Sequence, residues 1–336
     1  MRIGVIGCGK QAEKHIKSLK KIPGTELILA DIDPKAAKRL SEQNRCTWSQ
    51  DIKNILSDKA VKGVIICTPT SSHAYLIAES LKAGKHVFCE KPLCATLKEA
   101  EELAVLNRKY KWIVLVGYIY RYVPIFEKGY EIIRGYEIDG QSLALGKALS
   151  AFFRLGGRGG HQVWKHMKDS EGGAINEMLV HMIDLANWYF GPLSDPEVIS
   201  CDIRLRERVI EGKKVKVDAE DFVLVRLRGK NGVEIFCQAD LITPAFSQYI
   251  EVQGENGSFM GSIQQDMPSY LFLKEGRGGY QSGKSDLRHT WRNALDVQML
   301  EYVKSLLTNE GPERNSIEDS ISLMRIWNKI KDLQKD

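Results

Sequence analysis

Residues 1–12 read MRIGVIGCGKQA, and this stretch decides how the first third of the chain is interpreted. The apolar run at residues 3–6 predicts a buried strand, and the spacing of apolar side chains over residues 11–20 predicts an amphipathic helix. A strand that passes through a short glycine turn into a helix is typical of the first unit of a nucleotide-binding α/β sheet.

Gly7, Gly9 and Ala12 give the turn a G-x-G-x-x-A pattern. Gly7 permits the tight turn, Gly9 allows a pyrophosphate to approach the backbone, and Ala12 allows helix and strand to pack closely. With Lys10 and Gln11, the first helical turn presents free N–H groups that favour a bound phosphate. A glycine turn that only packs, or a site for S-adenosylmethionine, has a similar sequence. The flanking strand and helix favour a dinucleotide.

Asp31 ends the next predicted strand, residues 27–31, and lies 22 residues beyond Gly9. An acidic side chain at this place accepts hydrogen bonds from a ribose 2′-hydroxyl and repels a 2′-phosphate. The sequence therefore predicts NAD as the cofactor and disfavours NADP.

Strand and helix patterns alternate through residues 1–120. Further strands are predicted at residues 63–67, 86–89 and 113–116, and further helices at residues 34–42, 72–82 and 97–110. Near-continuous apolar strands between amphipathic helices indicate a parallel sheet covered on both faces. The predicted fold class is α/β, with an N-terminal Rossmann domain, a doubly wound parallel sheet, at residues 1–120.

The pattern changes in residues 121–336, which we expect to form a second domain for substrate binding and assembly. Helices are predicted at residues 123–134, 176–189, 291–308 and 316–333, and alternating strands at residues 197–208, 215–228, 233–241, 248–253, 257–263 and 269–274. Asparagine–glycine turns between strands supply hairpin chemistry. We expect a mostly antiparallel sheet, and last helices that pack back towards the first domain.

Composition excludes several classes of protein. The 336 residues are 43% hydrophobic and 27% charged with a formal net charge of +5, unlike a disordered, collagen-like or coiled-coil chain. No predicted helix has basic residues clustered along one face, so we expect no nucleic-acid partner. The strongest apolar run, residues 112–120, is about half of the ~20 residues that cross a membrane, so we expect no membrane partner.

The sequence also favours a cytoplasmic protein. The first residues form a strand, without the basic and apolar regions of a signal peptide. The seven cysteines are an odd number without a C-x-x-C pair, and most lie in apolar runs, so reduced thiols are the simplest interpretation.

A hydroxyl-rich turn with Thr68, Pro69 and His73 follows the strand at residues 63–67. Open α/β sheets bind their ligands at the carboxyl ends of the strands. The turn therefore either contacts the cofactor or only caps the next helix.

Glu90 and Lys91 occupy the corresponding place after the strand at residues 86–89, in the sequence E-K-P. An ammonium group beside the predicted nicotinamide position can stabilise the charge that develops on a substrate oxygen. Taken alone, a lysine here is more typical of a surface salt bridge.

Several motifs together resemble the Gfo/Idh/MocA oxidoreductases, the family of glucose–fructose oxidoreductase and inositol dehydrogenase. In family order they are G-x-G-x-x-A at residues 7–12, Thr68-Pro69 with His73, residues 84–92, residues 116–122, and Gly172-Gly173-Ala174 with Glu177, His181 and Asp184. The resemblance covers essentially the entire chain, and the combination is more specific than any one motif.

The resemblance implies a Rossmann domain followed by an α/β domain around an open, mostly antiparallel sheet, with nicotinamide-dependent chemistry on sugars or cyclitols. It assigns the lysine of the E-K-P turn to Lys91 and the catalytic histidine to His181. Glu177 stands where the family has aspartate, so its role as substrate ligand or tuner of the histidine is open. Leu179 replaces a usual glycine and would narrow the pocket.

Residue spacing supports this assignment independently. Glu177, His181 and Asp184 are spaced i, i+4, i+7 and therefore share one helix face. A histidine takes a hydroxyl proton near neutral pH, and a carboxylate one turn away orients it. The same face could hold a metal, or the histidine could be structural. We predict no metal, because no further ligand is apparent.

Substrate candidates lie in a basic, glycine-rich segment and near the predicted domain junction. Arg158, Trp164 and Lys165 could wrap a phosphate or carboxylate and stack on a sugar or base. An exposed, solvated loop explains the same residues equally well. Tyr118 and Arg121 could contact either ligand.

We predict an NAD-dependent dehydrogenase that interconverts a ring hydroxyl and a ketone on a sugar, with Lys91, His181 and Glu177 as catalytic residues. The anionic preference of the basic loop points to a nucleotide-linked amino sugar or uronate. The alternatives are an inositol or free-sugar dehydrogenase, a keto-sugar reductase, and an NAD-binding regulatory protein without catalysis. The family also suggests a homodimer or homotetramer through the outer sheet face, with alternating apolar residues at 222–227 and 233–236.

Overall fold

The computed structural model describes residues 1–135, 137–138, 141–157, 162–210, 212–287, 292–311 and 314–334. The chain forms two compact units, one of Met1–Tyr122 with Arg292–Met324 and one of Val123–Trp291 with Arg325–Asp336. Part of the C-terminal region thus belongs to the first unit.

The regular elements of the described residues are numbered in chain order. The helices are α1 (Lys10–Leu19), α2 (Pro34–Asn44), α3 (Lys53–Ser57), α4 (His73–Lys82), α5 (Leu97–Tyr110), α6 (Pro124–Tyr130), α7 (Val180–Phe190), α8 (Ala294–Thr308) and α9 (Ile317–Leu333). Two π-helical turns, Glu131–Gly135 and Ile175–Leu179, adjoin α6 and α7. Among the described residues, no helix is long and apolar enough to cross a membrane.

The strands fall into two large sheets and two short hairpins. They are β1 (Arg2–Ile6), β2 (Glu26–Ala30), β3 (Thr47–Ser49), β4 (Val61–Ile66), β5 (His86–Cys89), β6 (Val114–Val116), β7 (Glu137–Ile138), β8 (Gln141–Ser142), β9 (Ala148–Gly156), β10 (Ser194–Asp202), β11 (Glu207–Ile210), β12 (Lys213–Lys216), β13 (Phe222–Arg228), β14 (Glu234–Asp240), β15 (Ser247–Gly254), β16 (Gly257–Ser262), β17 (Tyr270–Leu273) and β18 (Gly283–Asp286).

The sheet of the first unit is parallel, in the order β3-β2-β1-β4-β5-β6. Its central strands are buried on both faces, as their apolar sequences predict. Side chains cap the N-terminal ends of two helices in this unit. Asp33 accepts a hydrogen bond from the backbone of Lys35 before α2, and Thr96 and Glu99 cap α5 reciprocally. The strand order reverses beside β1, which is where doubly wound sheets bind ligands.

The second unit is built on an eight-stranded sheet in the order β10-β13-β14-β9-β15-β16-β17-β18. All neighbours are antiparallel except β14 and β9. Helix α7 packs on β9 and β14, and α6 packs on β16, so one face is covered by helices. The predicted mostly antiparallel sheet is present.

Several elements differ from the predictions. The short elements β3, α3 and β18 were not predicted, because three to five residues carry too little periodicity. The central strand β9 was also missed, although Ala151, Phe153 and Leu155 alternate as buried residues. The predicted strand at residues 197–208 is divided between β10 and β11, and that at residues 215–228 between β12 and β13.

The residues named for assembly point mostly to the other face. Val223, Val225, Leu227 and Ile235 are buried on the helix-covered side, so these members of the two segments belong to the core of the second unit. The outer face of β13 and β14 carries Phe222, Leu224 and Phe236, interrupted by the charged Arg226 and Glu234. Assembly through this sheet stays a prediction.

Helix α8 packs against the first unit's sheet at Gly63. The Tyr302 hydroxyl donates a hydrogen bond to the Val64 carbonyl at 2.9 Å and lies 3.2 Å from the His86 carbonyl. A Cβ at Gly63 would overlap this hydroxyl and come within 2.9 Å of Leu306 Cδ2. Helix α8 is therefore matched in shape to a strand glycine more than 200 residues earlier in the chain.

We expect Gly63→Ala to destabilise the protein by roughly 1–3 kcal/mol, because the added methyl overpacks this contact. Urea unfolding of Gly63→Ala, Tyr302→Phe and the double variant measures the effect. The double variant should lose less than the two single losses combined, since removal of the hydroxyl relieves part of the overlap. Additive losses would contradict the contact.

Candidate functional site

The glycine turn of the first unit has the geometry of a phosphate cradle. Gly7 has φ +91°, and a Cβ there would lie 2.8 Å from the backbone carbon of Cys67, so only glycine is accommodated. Gly9 precedes α1, which has no side-chain cap, and a Cβ at Gly9 would meet open space. The free N–H groups of α1 therefore face an open volume beside an unobstructed backbone, which suits a pyrophosphate.

Asp31 lies directly beside this turn. One carboxylate oxygen accepts a hydrogen bond from the Cys8 backbone N–H at 2.6 Å, and the other accepts from the Asp33 N–H at 2.8 Å. The next residue, Ile32, is 91% exposed, so an apolar surface adjoins the carboxylate. This arrangement fits a ribose with an attached base, and sequence reasoning had not singled out Ile32.

Glu90 connects α1 with the turn after β5. Its Oε1 accepts a hydrogen bond from Gln11 Nε2 at 2.8 Å and lies 2.5 Å from His15 Nε2. Gln11 and His15 are one helical turn apart and share a face of α1. His15 is fully buried and was missed by the sequence analysis, although this i, i+4 spacing was visible. The Lys91 turn is thereby fixed against the helix of the glycine turn.

The pKa of Glu90 reflects two opposing causes. Burial raises it, but the hydrogen bond and charge of His15, the hydrogen bond from Gln11 and the charge of Lys91 together bring the pKa below its usual value of 4.5. Glu90 is therefore ionised at neutral pH and keeps a negative charge beside Lys91.

His73 contacts the backbone of two turns of the first unit. Its Nδ1 lies 2.9 Å from the Pro92 carbonyl, and its Nε2 lies 2.9 Å from the Thr68 carbonyl. Both ring nitrogens therefore contact backbone, and direct contact of His73 with a cofactor stays a prediction. The Ser72 hydroxyl hydrogen-bonds Thr68 Oγ1 at 2.7 Å and the Pro69 carbonyl at 2.8 Å, which adds to the turn's own rigidity.

Arg121 and Tyr118, predicted as substrate ligands, are fully buried in the structure. Arg121 pairs with Asp319 at 3.0 Å, and its guanidinium lies 5.7 Å from the centre of the Tyr118 ring. Asp319 also caps α9 reciprocally with Ser316. These contacts give Arg121 a structural role within the first unit, and its contact with substrate stays a prediction.

In the second unit, the helix with Glu177 and His181 begins as a π-helical turn. Its first N–H groups are held by Glu220, whose carboxylate accepts from Ile175 at 3.0 Å and whose backbone carbonyl accepts from Ala174 at 2.8 Å. Asp184 is 1% exposed, whereas Glu177 and His181 are only partly buried. Glu177 and His181 are therefore more accessible than Asp184.

Lys165 forms an ion pair with Glu177, with Nζ 2.5 Å from Oε2. The ammonium also lies 5.4 Å from the ring centre of Trp164, which is 43% exposed. A Cβ at Gly172 would lie 2.6 Å from the carbonyl of Trp164, so this glycine allows the segment to approach the helix. Glu177, which stands where the family has aspartate, is thus paired with the Lys165 ammonium on the neighbouring segment.

The remaining predicted residue, Arg158, lies outside the described residues. Within the residues that the structure does describe, no group of three or more His, Cys, Asp or Glu side chains is arranged to hold a metal.

Two family models match the chain. Residues 1–118 match the oxidoreductase family with an NAD-binding Rossmann fold, and residues 141–260 match the GFO/IDH/MocA C-terminal domain. The chain belongs to the Gfo/Idh/MocA oxidoreductase family. The predicted family, enzyme class, α/β fold class and NAD cofactor are confirmed. The roles of individual site residues stay predictions.

Several similar proteins are named as dehydrogenases of inositol or levoglucosan. The myo-inositol 2-dehydrogenase of Thermotoga maritima is 24% identical over 338 residues, spanning 100% of this chain and 97% of that protein. The levoglucosan dehydrogenase of Pseudarthrobacter phenanthrenivorans is 25% identical over 301 residues, spanning 79% and 74%. A solved levoglucosan dehydrogenase with NADH and levoglucosan has a TM-score of 0.85 at 18% identity, covering 100% of this chain and 97% of that one, and shares the fold.

We expect Gly9→Ala to weaken NAD binding at least about tenfold while leaving the free energy of unfolding within about 0.5–1 kcal/mol. The added methyl meets open space in the protein but takes the volume that a pyrophosphate needs. Calorimetric titration with NAD and urea unfolding measure the two effects. Gly311→Ala is the matched control, since a Cβ there also meets open space. Unchanged NAD affinity would contradict the cradle.

We expect Glu90→Gln to cost roughly 1.5–3 kcal/mol at neutral pH, because it removes charged hydrogen bonds. The folded-state pKa of Glu90 lies below its unfolded value of 4.5, so the stabilisation is present above that pH and is lost as pH falls through the folded pKa. Urea unfolding at several pH values should show the gap to the parent protein narrowing below pH 4.5. A gap that stays constant down to pH 3 would refute this role.

Proposed function

We propose that this oxidoreductase oxidises a ring hydroxyl of a cyclitol or free sugar to a ketone. The observation that carries this proposal is the ion pair between Lys165 and Glu177. Lys165 belongs to the segment interpreted as an anion clamp, but its charge is compensated within the protein. A lysine whose charge is already paired attracts a diphosphate or uronate only weakly. The two paired side chains remain polar groups that can hydrogen-bond a neutral polyol.

The names of the relatives support the same substrate class. The proteins compared above are an inositol dehydrogenase and a levoglucosan dehydrogenase. They favour the inositol or free-sugar alternative over the nucleotide-linked sugar that the basic loop suggested. Reaction on a UDP-linked sugar is therefore not our proposal.

The chain's own residues divide into cofactor and substrate groups. The glycine turn at Gly9 and the carboxylate of Asp31 would hold NAD, which supplies the hydride acceptor when bound. His181 accepts the proton of the reacting hydroxyl, a role that contributes typically about 10²–10⁴-fold in rate. Glu177 orients His181 or binds a neighbouring hydroxyl. Lys91 stabilises negative charge on the reacting oxygen.

We expect NAD reduction, followed by absorbance, with myo-inositol, scyllo-inositol, levoglucosan or free hexoses, and none with UDP-linked amino sugars or their uronates. Turnover confined to the UDP-linked sugars would overturn the proposal in favour of an anionic substrate. Tight NAD binding without turnover on any member of the panel would instead indicate a regulatory protein.

With the active polyol, His181→Asn and Lys91→Met should each lower kcat/KM by about 10²–10³-fold, as acid–base and electrostatic roles predict. Lys98→Met is the matched control for Lys91, because Lys98 is an exposed lysine on α5. Near-normal turnover of both site variants would refute the assigned roles.

A further inference from the structure

Gln248 is a buried amide without hydrogen-bond partners. The residue is fully buried on β15, and neither Oε1 nor Nε2 of its side chain has a partner. Its backbone is satisfied, since its N–H donates to Gln264 Oε1 at 3.1 Å and its carbonyl accepts from the Ser262 hydroxyl at 2.9 Å. Buried amides almost always have partners, so an amide with both functions unused needs an explanation.

The strand register places this amide on the helix-covered face of the second unit's sheet. Gln248 lies opposite Leu155 of β9, and Leu155 is fully buried. Directly opposed residues of antiparallel strands project to the same face, and Ile250, two residues further along β15, is also fully buried. Gln248 therefore faces the layer in which α7 packs on β9 and β14.

The same end of the sheet receives the π-helical turn that carries Glu177. That turn packs on β9 and β14. A Cβ at Gly157, just beyond the end of β9, would lie 3.4 Å from Met178 Cε and 3.4 Å from Phe246 Cδ2. Met178 follows Glu177 in the turn, and Phe246 lies two residues before Gln248. Residues that adjoin Glu177 and Gln248 in the chain thus approach Gly157 at the same end of the sheet, within one unit.

We propose that the Gln248 side chain binds a hydroxyl group of the substrate. This inference rests on the proposed function. A hydroxyl both donates and accepts, so it can satisfy Oε1 and Nε2 of one amide, or two vicinal hydroxyls can satisfy one each. An ionised carboxylate or phosphate group can only accept, and it would leave Oε1 buried without a donor. The amide therefore fits a hydroxyl group of the ligand and not an anionic group.

Gln248→Met tests this role, because methionine keeps the length of the side chain and removes both polar atoms. We expect the KM for the active polyol, with myo-inositol as the first probe, to rise roughly 10- to 100-fold, as for the loss of one or two hydrogen bonds. The thermal midpoint without ligand should stay the same or rise, because an unsatisfied buried amide has been removed. NAD affinity should not change. Gln248→Asn, which keeps the amide but shortens its reach, provides a second variant if methionine impairs folding.

Gln298→Met is the matched control. Gln298 is 1% exposed on α8, and its Nε2 also lacks a partner. It belongs to the first unit, so its replacement should leave the polyol KM unchanged.

A KM for Gln248→Met within twofold of the parent value, in a folded protein, would overturn the inference. So would a lowered thermal midpoint with equal losses for every substrate, since that pattern marks a structural role. Failure of the proposed function is distinct, because it appears as absence of polyol turnover in the unaltered protein. In that case the melting temperatures of Gln248→Met and the parent are measured with NADH and each panel compound. A smaller compound-induced shift in Gln248→Met would show that Gln248 binds the ligand, and equal shifts would overturn the inference.

Discussion

The hydrogen bonds of the largely buried Glu90 carboxylate are the interaction on which the first unit's proposed site depends. Glu90 accepts a hydrogen bond from Gln11 and contacts His15, both on α1, while its own backbone begins the turn that carries Lys91. A carboxylate removed from water needs such partners, because charge without them is costly to bury. The helix that begins at the glycine turn and the turn that presents Lys91 are therefore fixed relative to each other.

Charge compensation has the same importance for the proposed site of the second unit. Lys165 is matched by Glu177, and Asp184 is almost completely buried. The positive charge of Lys165 is therefore paired within the protein. Gln248 adds an amide with unused donor and acceptor functions. A ligand with several hydroxyl groups, as proposed for this enzyme, can satisfy both functions of such an amide.

The first unit was the more predictable half, because its signals are local. A glycine turn, an apolar strand and an amphipathic helix occupy fewer than twenty consecutive residues, and the bounds of α5 agree with the prediction. The second unit was less predictable. Its central strand β9 pairs with β14 and β15, both more than 70 residues further along the chain. Such pairing is decided by partners that a local pattern does not reveal.

The sequence by itself determined the α/β class, the cradle at Gly7 and Gly9, the acidic residue at the end of β2 and the spacing of Glu177 and His181. These depend on backbone geometry and on contacts between near neighbours in the chain. Only the tertiary structure decided that His15 supports Glu90, that Lys165 neutralises Glu177 and that Gln248 is left without a partner. Burial and the pairing of charges arise between distant segments, and the free energy of a polar group depends on what surrounds it after folding.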